Sequence, residues 1–136
     1  MVRLAYHQDI PQVTQLLYNL KAQTAWALVE GEWNNAHIQQ FLHEQLRDPR
    51  SVLYVWDAGT NLTAFCGCST SRFYLPPHMP TMFEWGWAGP KRAATACWVA
   101  CRAWAKKRGI HFACRVTGRP GSHARRIHEY VTWEVL

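Results

Sequence analysis

The sequence predicts an α/β (α+β) domain, a mixed sheet with helices packed on its faces. Three observations predict it. Apolar residues recur with strand and helix periods in alternation, in the order β-α-α-β-β-β-α-β-α-β. The last third, Ala88 to Leu136, reads as one unit: glycine–proline turn, long helix, short buried strand, second helix and final strand. No repeat, linker or low-complexity stretch interrupts the 136 residues, which fits a single domain over 1–136.

The elements follow in order. Val2 to Tyr6 reads as the first strand. Asp9 caps a helix that holds Pro11 in its first turn, where a missing N–H costs nothing. Ile10, Val13, Leu16, Leu17 and Leu20 are its apolar stripe. Trp26 to Trp33 is irregular and broken by Gly31. Asn34 or Asn35 caps a second helix with Ile38, Phe41, Leu42 and Leu46 inward, ended by Asp48-Pro49. Ser51–Trp56 and Leu62–Tyr74 are strands of a hairpin whose turn is Asp57-Ala58-Gly59-Thr60-Asn61. The proline-rich loop Leu75 to Pro80 leads to the strand Thr81 to Trp87, on which Trp85 and Trp87 are expected to share a face. The long helix ends at Trp104-Ala105-Lys106-Lys107-Arg108-Gly109. The next strand, Ile110 to Val116, is predicted to be parallel to its predecessor by a right-handed crossover. A short basic helix and the strand Val131 to Leu136 close the chain.

Hydrophobic residues make up 49% of the chain and charged ones 18%, which excludes an intrinsically disordered protein. No run of about 18 apolar residues exists, so no membrane span is expected. Met1 to Asp9 lacks the long apolar run of a signal peptide, so folding in the cytoplasm is the expectation. The net charge of +6 and a pI near 9.3 suit anionic partners such as nucleic acid, a nucleotide cofactor or an acidic surface, or serve solubility alone. Ten of the 15 Lys and Arg residues lie beyond residue 90. Nucleic acid is not expected, because neither stacked aromatics nor a helix-turn-helix pattern accompanies that charge. The five cysteines read as reduced thiols. Cys66 and Cys68 share a strand face, and Cys97 and Cys101 a helix face. Neither pair has C-x-x-C spacing, so small core residues are preferred over a zinc site with His111, and no metal is expected.

This order of segments resembles the GNAT acyltransferases over nearly the whole chain. Val2-Arg3-Leu4-Ala5 through Asp9-Ile10-Pro11-Gln12-Val13 resembles the family's opening strand and helix. Trp104 to Gly109 resembles the end of its third helix. Ala124-Arg125-Arg126-Ile127-His128-Glu129-Tyr130-Val131-Thr132-Trp133 is similar to its closing helix and strand. The resemblance implies a mostly antiparallel sheet of six to seven strands with helices on both faces. It implies acetyl-CoA or another acyl-CoA as donor and an amine, on a small molecule or a protein, as acceptor. Val116-Thr117-Gly118, Ser122-His123 and Arg125 also resemble small GNAT-like proteins of short-tailed bacteriophages, some of them internal virion proteins. That likeness implies a catalytically degenerate virion component, or a module that binds a phage or host protein, in the host cytoplasm or the virion.

The GNAT resemblance also points to residues. The family's pyrophosphate cradle is a glycine-rich turn between its fourth strand and third helix. Here the turn is Ala88-Gly89-Pro90-Lys91-Arg92-Ala93-Ala94-Thr95, with one glycine and a proline that removes a donor. Trp87, Gly89, Lys91, Arg92, Ala93, Ala94 and Thr95, with Arg119, are the implied cofactor-binding residues. The other reading is an ordinary turn before a basic helix. Glu84 matches the family's general base, or is an outward glutamate on an amphipathic strand. His128 falls where the family keeps a tyrosine that protonates the leaving thiolate, or is a surface histidine. Trp26, Glu30, Glu32 and Trp33 would border the acceptor pocket.

Overall fold

A computed structural model describes residues 1–22, 33–72, 80–115 and 132–136. Their elements are β1 (Val2–Leu4), a 3-10 turn (His7–Asp9), α1 (Ile10–Ala22), α2 (Asn35–Arg47), β2 (Ser51–Asp57), β3 (Leu62–Arg72), β4 (Pro80–Ala88), α3 (Lys91–Lys106), β5 (Phe112–Arg115) and β6 (Thr132–Val135). The six strands lie side by side in chain order. Every junction is antiparallel except β4–β5, which is parallel with Thr81 opposite Phe112 and Glu84 opposite Arg115. The helix expected between β5 and β6 lies outside the described residues. Among those described, no helix is long and apolar enough to cross a membrane.

Strand alternation sends side chains to two unlike faces. Leu53 and Val55 of β2 and Phe65 of β3 pack with Ile10, Val13, Leu17 and Leu20 of α1 and Leu42 of α2. Val52, Ala64, Cys66, Cys68 and Met82 face the other way, onto Ala93, Ala94, Cys97, Trp98, Cys101 and Ala105 of α3. The turn after β2 forms as its residues dictate. The Asp57 carboxylate accepts from the Gly59 N–H at 2.8 Å, and Gly59 takes a φ of +93° that favours glycine.

One local expectation is narrowed and one corrected. Asn34, not Asn35, caps α2, its side chain accepting from the His37 N–H at 3.0 Å. Asp9 does not cap α1 directly. It ends the 3-10 turn, and its carboxylate accepts from the Tyr6 N–H (2.7 Å) and the Arg3 guanidinium (2.8 Å), tying β1 to the start of α1.

The larger correction concerns β4. Its register with β3 slips: Gly67 pairs with Gly86 but Cys68 with Glu84, so Trp85 is an extra residue, a β-bulge. The extra residue inverts the alternation. Trp85 turns to the α1/α2 face, edge-on to Phe41 at 5.1 Å, while Trp87 lies with Trp98 on the α3 face. The two tryptophans therefore do not share a face. Gly67 makes room for the bulge, since a Cβ there would lie 2.1 Å from the Trp85 ring.

Candidate active site

The turn from β4 into α3 gathers most of the predicted residues. Gly89 has a φ of +123°, and a Cβ added to it would lie 2.3 Å from the Cβ of Ala64 and 2.5 Å from the Thr63 carbonyl oxygen. Its glycine identity is thus required by the close passage over β3. Pro90 is the N-cap of α3 and contributes no side-chain cap. The helical ladder begins with the Ala94 N–H donating to the Pro90 carbonyl at 2.9 Å, which leaves the N–H groups of Lys91, Arg92 and Ala93 outside it. The Lys91, Arg92 and Thr95 side chains are exposed, and Ala93 and Ala94 are buried against the sheet. No acid sits in the first turn. Trp87 fixes this helix end to β4: its indole N–H donates to the Ala94 carbonyl at 2.6 Å.

Glu84 lies three residues before Trp87, about 10 Å along the strand. It is fully buried and, as the register partner of Cys68, belongs to the α3 face. It stands where the β4–β5 ladder ends among the described residues, opposite Arg115. The structure therefore brings Trp87, Gly89 and Lys91 to Thr95 together, with Glu84 deeper on the same strand. His128 and Arg119 lie outside the described residues, as do Trp26, Glu30 and Glu32. Trp33 is half-buried and meets Tyr18 edge-on at 5.4 Å, packed on the α1/α2 core.

This arrangement fits a phosphate. A helix of 16 residues ends in outward N–H groups at the positive end of its dipole, flanked by two exposed cations. The fit lies in the helix end and its charge, since Gly89 is occupied by packing on β3.

No family model matches the sequence, and no curated protein is similar enough to register as a relative. Solved structures are similar in fold. A predicted acetyltransferase with acetyl-CoA from Clostridium acetobutylicum is 15% identical, with a TM-score of 0.67 over 95% of this chain and 86% of that one. Glucosamine-6-phosphate N-acetyltransferase from Arabidopsis thaliana is 12% identical, with a TM-score of 0.67 over 95% and 87%. An aminoglycoside 6'-N-acetyltransferase from Acinetobacter haemolyticus is 13% identical, with a TM-score of 0.70 over 95% and 87%. The fold is that of the GNAT acetyltransferases. At these identities the GNAT likeness is one of fold.

Sequence reasoning missed one grouping. Cys66 and Cys68 were paired on their strand and Cys97 and Cys101 on their helix, but the structure brings Cys66, Cys68 and Cys101 together. Burial pushes the thiols of Cys66 and Cys68 well up. Burial also opposes the Cys101 thiolate, but donation from those two thiols and from the Tyr54 backbone N–H outweighs it, and its pKa falls. The two spacings, i,i+2 on a strand and i,i+4 on a helix, give each pair its face but not the meeting of the two elements.

Proposed function

We propose that this protein transfers an acyl group from acyl-CoA to an amine. The observation that carries the reading is the α3 N-terminus: three outward amides, Lys91 and Arg92, anchored to β4 through Trp87, on a GNAT fold. In this reading the amides of Lys91, Arg92 and Ala93 and the side chains of Lys91, Arg92 and Arg119 hold the pyrophosphate, as a helix N-terminus holds any anion. Ala93, Ala94 and Thr95 keep that helix end slim, and Trp87 and Gly89 set its position against β4 and β3. Acyl-CoA supplies the thioester whose carbonyl the amine attacks. Glu84 takes the proton that the amine loses, directly or through water, and His128 gives a proton to the departing sulfur. The acceptor is an amine-bearing small molecule or protein.

A second reading keeps the fold without the catalysis: a phage-encoded GNAT-like virion component or protein-binding module. Its support is that Glu84 has no solvent exposure and that Pro90 leaves the turn one amide short. Calorimetry with acetyl-CoA separates the two. Binding near micromolar, about 8 kcal/mol, with at least a tenfold loss (about 1.4 kcal/mol) in Arg92→Glu, is expected of the enzyme. Thiol release with a panel of amines should then fall sharply in Glu84→Gln and less in His128→Ala. No binding at millimolar acetyl-CoA would remove the enzymatic reading and make co-purification of a protein partner the next test.

A further inference from the structure

The sulfur atoms of the α3 face have no part in that function. Cys66 and Cys68 point from β3 to one face, and Cys101 meets them from α3. The three Sγ atoms lie within 4.8 Å of one another, with Cys66 and Cys68 at 3.8 Å. All three side chains are fully buried and carry free thiols. Sulfurs held about 2.3 Å from one central metal ion, at the corners of a triangle, stand about 4 Å apart. Two rigid elements thus hold three soft donors at the spacing of a coordinated triangle. Cys97, one turn earlier on α3, is buried but lies outside the trio.

We propose that Cys66, Cys68 and Cys101 form a three-sulfur site for a soft monovalent metal ion, Cu(I). Sulfur donors select soft ions. Zinc takes a fourth protein ligand or an open position for water. Among the described residues no fourth Cys, His, Asp or Glu atom joins the trio, and the surroundings are closed to solvent. Each sulfur that binds the ion does so as a thiolate and releases its proton to solvent. Because the sulfurs are buried, the ion enters as the chain folds rather than afterwards.

The test uses the full chain, reduced and unfolded without oxygen, then refolded with Cu(I) on a weak chelator or with Zn(II) alone. Expected is a single copper per chain retained through gel filtration, a raised Tm, and no matching retention of zinc. Cys101→Ala and Cys66→Ala should each weaken copper binding at least about tenfold, while Cys97→Ala leaves it unchanged. Wild type that refolds without retaining copper, that retains zinc in its place, or that loses copper no more readily in Cys101→Ala would overturn the proposal. X-ray absorption on copper-loaded wild type guards against variants that do not fold. Three sulfur neighbours are expected, and a shell with fewer sulfurs or with nitrogen would sink the assignment.

Discussion

The two faces of the sheet solve one packing problem with opposite materials. The α1/α2 face is built of large side chains: Phe65, Leu53, Val55 and Leu62 meet Ile10, Val13, Leu17, Leu20 and Leu42. The α3 face is built largely of small ones, Ala64, Cys66 and Cys68 on the strands and Ala93, Ala94, Cys97, Cys101 and Ala105 on the helix. Large side chains supply burial and hold two helices at a distance. Small ones let a single helix approach the sheet, so that its first turn sits beside the end of β4, where Trp87 can reach the Ala94 carbonyl. The first face is built for stability, and the second positions a helix terminus. The polar anchors differ in the same way. α1 is tied down by ions, Arg3 to Asp9, and α3 by a neutral indole N–H.

Truncation on the large face should have the largest effect. Phe65 is fully buried, and Phe65→Ala should cost about 3–5 kcal/mol, read from urea denaturation midpoints. Enlargement should matter more on the small face. Ala94 is fully buried in the first turn of α3, and Ala94→Leu should cost about 1–3 kcal/mol by forcing the helix off the strand. If the proposed function holds, Ala94→Leu should also weaken acetyl-CoA binding, whereas Phe65→Ala should leave affinity intact in whatever fraction stays folded. Equal loss of affinity in both variants would erase the division between the faces.

Much of this contrast could be read from the sequence, and the rest could not for a definite reason. The apolar stripes of α1 and α2 and the hairpin turn at Gly59 are local signals, and each forms its element as expected. The residues of the β4–α3 turn are contiguous in the chain, so their grouping was legible too. Assigning the β4 side chains to faces needed the register with β3. One extra residue at Trp85 inverts the alternation, and its only trace in the sequence is Gly67 on the neighbouring strand. The meeting of Cys66 and Cys68 with Cys101 likewise depends on how α3 lies over β3, a long-range fact that spacing within either element cannot supply.

The ionic anchor makes a pH prediction that the neutral one does not. Hydrogen bonds from Arg3 hold the Asp9 carboxyl below the usual carboxylate range, against the cost of burial and with help from the Tyr6 N–H. The native state therefore binds fewer protons than the unfolded chain as pH falls. The stabilisation is present above the unfolded Asp value, about 3.9, and is lost as pH drops through the lower native value. Asp9→Asn should cost about 1–2 kcal/mol near neutral pH and flatten the fall in stability below about pH 4. A variant that keeps the wild-type acid slope would take Asp9 out of this role.

Trp87→Phe should have the smallest effect. It keeps an aromatic ring against Trp98 and removes the donor to Ala94. The Ala94 carbonyl keeps its bond within the helix, so no buried acceptor is left bare. The loss should be about 0.5–1.5 kcal/mol, the net value of one neutral hydrogen bond, and the same at every pH at which the protein stays folded. Its sharper readout is local. Amide hydrogen exchange in the first turns of α3 should quicken while that of α1 and β2 stays as in wild type. Faster exchange spread evenly over both faces would mean that Trp87 serves general stability and does not hold the helix end in place.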